Sequence, residues 1–155
     1  YHVHVNYICD SKTSLQKAVN FYNKFIEHFE LEKRPSGPFC KSLFNETMND
    51  GLCMFEKKQG FDKCGGIFVS GQWSAFIPVK DYTRVYEWTV QNRGDLDALF
   101  HPNSGFGVYD HSIWANWAGK PWPLNLEFFK EWEKAHEKKE AYCNEWSCTK
   151  TVDMH

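Results

Sequence analysis

His2-Val3-His4-Val5-Asn6-Tyr7-Ile8, with the stretch from Ser14 to Glu30 behind it, is the part of the chain that decides the fold. β-Branched and aromatic residues alternate here with polar ones, which is the pattern of a half-buried strand. A strand turns successive side chains to opposite faces, so His2, His4 and Asn6 share one face while Val3, Val5 and Tyr7 share the other. Next, Leu15, Ala18, Val19, Tyr22, Phe25, Ile26 and Phe29 recur at the spacing of an amphipathic helix over 14–30. Asp10, Ser11, Thr13 and Ser14 are candidate caps for its amino end, and Arg34-Pro35-Ser36-Gly37-Pro38 stops it.

Working outward, residues 39–65 carry no clear period, hold Cys40, Cys53 and Cys64, and read as a disulfide-tied insertion with one short strand near Leu52–Phe55. Gly66–Ser70 and Trp73–Val79 read as two strands meeting in a hairpin at Ser70-Gly71. Asp81 can cap a second helix over 81–92, which turns Tyr82, Val85, Tyr86, Trp88 and Thr89 to the core. Asp97–His101 is a strand that runs into the turn His101-Pro102-Asn103-Ser104-Gly105. A charged helix over 125–142, with Leu126, Phe129, Trp132 and Ala135 in one stripe, leads into the tail to 155. The order predicts an α+β fold: a ferredoxin-like β-α-β-β-α-β antiparallel sheet with helices on one face, plus the insertion and a C-terminal helix.

With 155 residues the chain is expected to be one domain, 1–155, at about 100–200 residues per domain. Lys+Arg number 18 against 20 Asp+Glu, a net charge of −2 with no basic block, so nucleic acid and anionic membrane are not expected partners. No apolar run approaches the ~18–20 residues of a membrane span. Six cysteines (Cys9, Cys40, Cys53, Cys64, Cys143 and Cys148) are all disulfide candidates, and no CxxC suggests a thiolate metal site. An even, scattered set suits an oxidising compartment. With the sequon Asn45-Glu46-Thr47, which makes Asn45 a glycosylation candidate, it points to a secreted, extracellular protein.

Four of the seven histidines stand where a site can form. His2 and His4 project together from one strand face, His101 ends a strand before a proline turn, and His111 follows Asp110, a carboxylate placed to orient it. Brought to one side of a ferredoxin-like sheet, such imidazoles could hold a single metal ion. The same residues also read as half-buried strand histidines, a turn residue and a local ion pair. There is no GxGxxG, Walker loop, GxSxG or HExxH.

His2-Val3-His4-Val5 with its following helix resembles the opening of the DOPA 4,5-dioxygenase family. Trp88-Thr89-Val90-Gln91-Asn92-Arg93-Gly94, His101-Pro102-Asn103-Ser104-Gly105, Asp110-His111 and Trp117-Ala118-Gly119-Lys120-Pro121-Trp122-Pro123-Leu124 are similar to its later blocks in order and spacing. The resemblance implies extradiol cleavage of a small catechol-type aromatic by molecular oxygen at a His-ligated, mononuclear non-haem metal. Carried over by position, His2, His4, His101 and His111 fall on family histidines: the first three as metal ligands, His111 as the catalytic imidazole or a further ligand. One position departs from the pattern. Counting back from Trp88, Phe68 stands where the family carries a histidine in a Gly-Pro-His-Pro segment. A phenyl ring neither ligates metal nor moves a proton.

Three expectations follow. One is a secreted metal-dependent dioxygenase. Another is an inactive descendant that binds copper or zinc for transport, storage or structure. The third is a disulfide-braced interaction protein without metal. The expected cofactor is one copper or iron ion, with zinc as an alternative. The expected partner is a catechol-type substrate or the metal alone, and the sequence is compatible with a monomer or an oligomer.

Overall fold

The computed structural model describes residues 1–43, 45–56 and 64–136. Cys143, Cys148 and the expected helix beyond His136 lie outside the described residues, as do the side chains of Trp132 and Ala135.

The opening strand forms as its alternation dictates: β1 spans His2–Tyr7 and is buried on both faces. Ser11 caps the helix that follows, α1, Lys12–His28, by accepting from the Ser14 N–H. β2 (Cys53–Met54) and β3 (Gly71–Phe76) come next, then α2 (Tyr82–Asn92) and β4 (Asp97–His101). The order closes with α3 (Gly107–Asp110), β5 (Asn116–Ala118) and α4 (Leu126–His136). The strands form one antiparallel sheet in the order β2-β3-β1-β4-β5, with β1 at its centre. This is the expected α+β architecture. α1 and α2 cover the face of Val3, Val5 and Tyr7.

The core lies between that face and the helices. Val3, Val5, Trp73, Ala75, Ala98 and Phe100 meet Ala18, Phe21 and Phe25 of α1 and Val85 of α2. Fully burying one such side chain contributes about 1.5–3 kcal/mol. Trp73 fills the centre and donates its indole N–H to the Ala18 carbonyl at 3.0 Å, so its one polar group is satisfied. Trp88 stacks on Phe21 at 5.4 Å and joins the two helices.

Gly66–Ser70 is not a strand in a hairpin with β3. Phe68 bridges instead to Leu124, and Asn125 donates to the Ile67 carbonyl. The reason lies in the supposed turn. Ser70 donates its hydroxyl to buried Asn6, and Gly71 is the register partner of Tyr7, whose ring occupies the space a Cβ would need. The pair Ser70-Gly71 therefore starts β3, and β2, from the insertion, supplies the neighbouring strand. Asp81 does not cap α2; its carboxylate accepts from Arg84. The sequence reading also missed α3 and β5. The loop after β5 is pinned by Asp97, which accepts from the Lys120 N–H at 2.7 Å and the Trp122 indole at 2.8 Å. Two disulfides tie the insertion, Cys9–Cys64 and Cys40–Cys53.

Candidate metal centre

The face of the sheet opposite α1 and α2 is polar where it is central. β1 supplies His2, His4 and Asn6, and antiparallel pairing sets His101 of β4 directly beside His2. Partners opposite one another in a sheet turn their side chains to the same face, so the three rings converge. All three are buried, His2 at 6% exposure, His4 at 8% and His101 at 2%. One ligand nitrogen from each lies within 4.8 Å of the other two. Strand register thus brings His2, His4 and His101 onto one face.

Hydrogen bonds set which nitrogen each ring presents. His101 Nδ1 donates to the Pro102 carbonyl at 2.5 Å, and His4 Nδ1 donates to Gln72 Oε1 at 3.3 Å. Each of these acceptors holds the Nδ1 proton, which leaves Nε2 with a lone pair. The two Nε2 atoms face each other at 2.9 Å. That separation suits a proton shared between the two nitrogens in the metal-free protein and a cation held between them when metal is bound. Nitrogens about 2.0–2.1 Å from a shared ion sit about 2.9–3.4 Å apart. His2 Nε2 is buried without a hydrogen-bond partner. Three neutral imidazoles, two of them with anchored Nδ1 protons, form a donor set that fits a divalent transition metal such as copper, iron or zinc.

Burial depresses the basicity of these rings. His2 and His101 are lowered well below the ordinary imidazole range, chiefly by desolvation and then by the neighbouring His4; the N-terminal ammonium and His111 add to the effect on His2, and His111 and His2 to that on His101. Both are therefore neutral, the form that ligates metal.

His111 stands at the rim. It closes α3, its ring lies 3.9 Å from that of His101 and 5.8 Å from that of His4, and it is outside the three-nitrogen group. Asp110 does not orient it, contrary to expectation: that carboxylate accepts from the Ser104 hydroxyl at 2.7 Å and the Ser104 N–H at 3.0 Å. The Gly107 carbonyl accepts from His111 Nδ1 at 2.9 Å instead. One turn of helix sets that bond, and no sequence motif announces it. Burial lowers the ring to about 4, while burial raises Asp110 to about 6.

Phe68 takes a wall position, its ring 4.7 Å from His4 and 6.3 Å from His111. Phe55 packs on His2 at 4.9 Å and Phe129 of α4 on His111 at 4.2 Å. α3 and α4 thus cover part of the histidine face. Gln72, Phe55, Phe129 and Glu46, whose carboxylate lies 3.9 Å from His2 Nε2, were not foreseen. For Gln72 the signal existed: the alternation Gln72-Trp73-Ser74 puts it on the histidine face. Asn45, the sequon residue, accepts from the Thr47 hydroxyl at 2.6 Å on the insertion.

A family model described as the Dopa 4,5-dioxygenase family matches residues 1–128. A curated DOPA 4,5-dioxygenase of Amanita muscaria is 34% identical over 56 residues, 36% of this chain and 25% of that protein, so the match spans a quarter of that relative's length. The fold resembles the crystal structure of a candidate dioxygenase of Nostoc punctiforme, with a TM-score of 0.59 and 26% identity over 84% of this chain and 90% of that one.

Proposed function

The chain belongs to the DOPA 4,5-dioxygenase family, and from that premise we propose that it holds one metal ion on His2, His4 and His101 and cleaves a catechol-type aromatic with molecular oxygen. The observation that carries this reading is the buried three-imidazole group, with the Nε2 atoms of His4 and His101 turned on each other. Bound there, the metal supplies the charge that holds a catecholate and makes its reaction with molecular oxygen possible. Extradiol cleavage puts both oxygen atoms into the ring-opened product, so no external reductant enters.

The chain's own side chains then have separable tasks. Pro102 and Gln72 hold His101 and His4 in the Nδ1–H tautomer, so that Nε2 is offered. His111 is neutral above about pH 4 and keeps its Nδ1 proton on Gly107, so we assign its Nε2 the proton released from a catechol hydroxyl. Phe55, Phe68 and Phe129 exclude water from the rings they touch.

Phe68 favours a second reading, in which the centre binds copper or zinc without turnover. By the count back from Trp88 it stands where the family carries a histidine, and it sets against both His4 and His111 a group that moves no proton. We read the chain as secreted and glycosylated at Asn45, supported by the disulfides and the sequon. An oxidising exterior is a poor place to keep Fe(II), and imidazole donors suit Cu(II) and Zn(II) at least as well. Metal analysis of protein from its native source, followed by oxygen uptake with DOPA, separates the readings. Iron with ring-cleaved product supports the dioxygenase, and stoichiometric copper or zinc without oxygen uptake supports the binding protein. His4→Ala with His101→Ala abolishes metal uptake on either reading; unchanged metal content in that variant overturns both.

A further inference from the structure

Three of the four rings on the histidine face have an oxygen that fixes Nδ1, and His2 has none among the hydrogen bonds of the described residues. Its Nε2 is buried and without a partner. The nearest carboxylate oxygen, Glu46 Oε1, is also enclosed, is also without a partner, and lies 3.9 Å away. A buried acceptor and a buried ring nitrogen left unsatisfied side by side are each costly, about 1–3 kcal/mol for a group of this kind. They lie about 1 Å beyond a charge-assisted hydrogen bond.

The insertion is built to keep that carboxylate in place. Glu46 begins a single 3-10 turn, Glu46–Met48, capped by the Asn45 side chain, which accepts from the Thr47 N–H at 3.2 Å. The turn sits inside the loop closed by Cys40–Cys53. Cys53 pairs with Phe76, Phe76 with His2, and His2 with His101, so the disulfide anchors the loop on the sheet row that carries two of the three histidines.

We propose that Glu46 is the positioning residue of the centre: its carboxylate accepts the Nε2 proton of His2, which leaves His2 Nδ1 as the nitrogen offered to the metal. The proposal rests on the metal-site reading above. A carboxylate behind a ligating imidazole fixes its tautomer and raises its basicity, and removing such a partner weakens metal affinity about 10–100-fold. Glu46 is carried by the cysteine-bearing insertion, which lies within the family match over residues 1–128, and the disulfide that braces the insertion also fixes the carboxylate beside the site.

Two readouts test it on the full chain. Long-range nitrogen–proton NMR of the metal-free protein reports the tautomer of each ring. His2 is expected as Nε2–H in the wild type and in Glu46→Gln, whose amide oxygen still accepts, and as a tautomer mixture in Glu46→Ala. Zn(II) affinity, measured by competition with a chelator, falls 10–100-fold in Glu46→Ala and by less in Glu46→Gln. A wild-type His2 protonated on Nδ1, or a Glu46→Ala variant with unchanged tautomer and affinity within about twofold, overturns the assignment. Should Glu46→Ala fail to fold, wild-type tautomer and Glu46→Gln affinity still decide it. Zn(II) binding that survives His4→Ala with His101→Ala removes the metal-site reading itself, whereas a null result confined to Glu46 removes only this inference.

Discussion

His111→Gln turns the burial of that ring into a measurable dependence of stability on pH. In the folded protein His111 is lowered to about 4 by desolvation, only partly offset by the Gly107 carbonyl. Unfolded, it returns to about 6.5. As pH falls below 6.5 the unfolded chain takes up a proton the folded ring refuses, so stability present at neutral pH is lost down to about pH 4. The loss is about 0.2 kcal/mol at pH 7 and about 2.5 kcal/mol at pH 4.5. Glutamine reaches the same carbonyl with an N–H and does not titrate. The difference in unfolding free energy, variant minus wild type, should therefore rise by roughly 2 kcal/mol between pH 7 and pH 4.5. Asp110 acts in the opposite sense. Raised to about 6, it contributes stability that is present below about pH 4 and lost as pH rises through 6. Both proteins keep Asp110, so it cancels in the difference. Urea unfolding of the metal-free proteins, followed by tryptophan fluorescence, supplies the two free energies. A difference that stays constant within about 0.5 kcal/mol across that range would refute the claim that His111 is held neutral by burial.

Other outcomes follow from the same geometry. Phe68→His places an imidazole against His4 and His111, and should lower stability by about 1–3 kcal/mol while raising oxygen uptake with DOPA at least about tenfold; no gain in uptake shows that the missing histidine is not what limits turnover. Gly107→Ala would set a Cβ 2.5 Å from Phe129 Cδ1 and push that ring off His111, at a cost of about 1–3 kcal/mol by thermal unfolding; an unchanged midpoint shows that Phe129 yields freely. Replacing Cys40 and Cys53 by serine opens a loop of sequence separation 13, which should remove about 3 kcal/mol of stability. The same change should weaken Zn(II) binding, and adding Glu46→Ala in that background should weaken it no further. Additive losses would mean that the disulfide does not act through Glu46.

Much of the fold was legible because its signals are local. The period-two run at His2–Tyr7 and the helical period behind it depend on which residues stand two, three or four apart, and α1, β4 and the start of α2 lie close to their expected bounds. Gly66–Ser70 misled because glycine and serine read as a turn, while the actual reason for Gly71 is a distant ring, Tyr7. The Asp110 expectation failed similarly. Adjacent in sequence, Asp110 and His111 diverge at the end of a four-residue helix, and the carboxylate finds Ser104 instead.

The sequence by itself determined that His2, His4 and Asn6 share a face, that His101 closes a strand, and that cysteines brace a separate insertion; alternation and spacing are properties of the chain alone. Only the tertiary structure decided that these histidines meet, because convergence is set by strand order and register, which pair His2 with His101 across residues far apart in sequence. It also decided which nitrogens are offered, since Pro102, Gln72 and Gly107 become acceptors only once the sheet and α3 have formed. Glu46 belongs wholly to this second kind. Nothing in Asn45-Glu46-Thr47 points to a histidine, and the carboxylate lies 3.9 Å from His2 Nε2 because the loop that carries it is tied by Cys53 to the row of the sheet on which His2 lies.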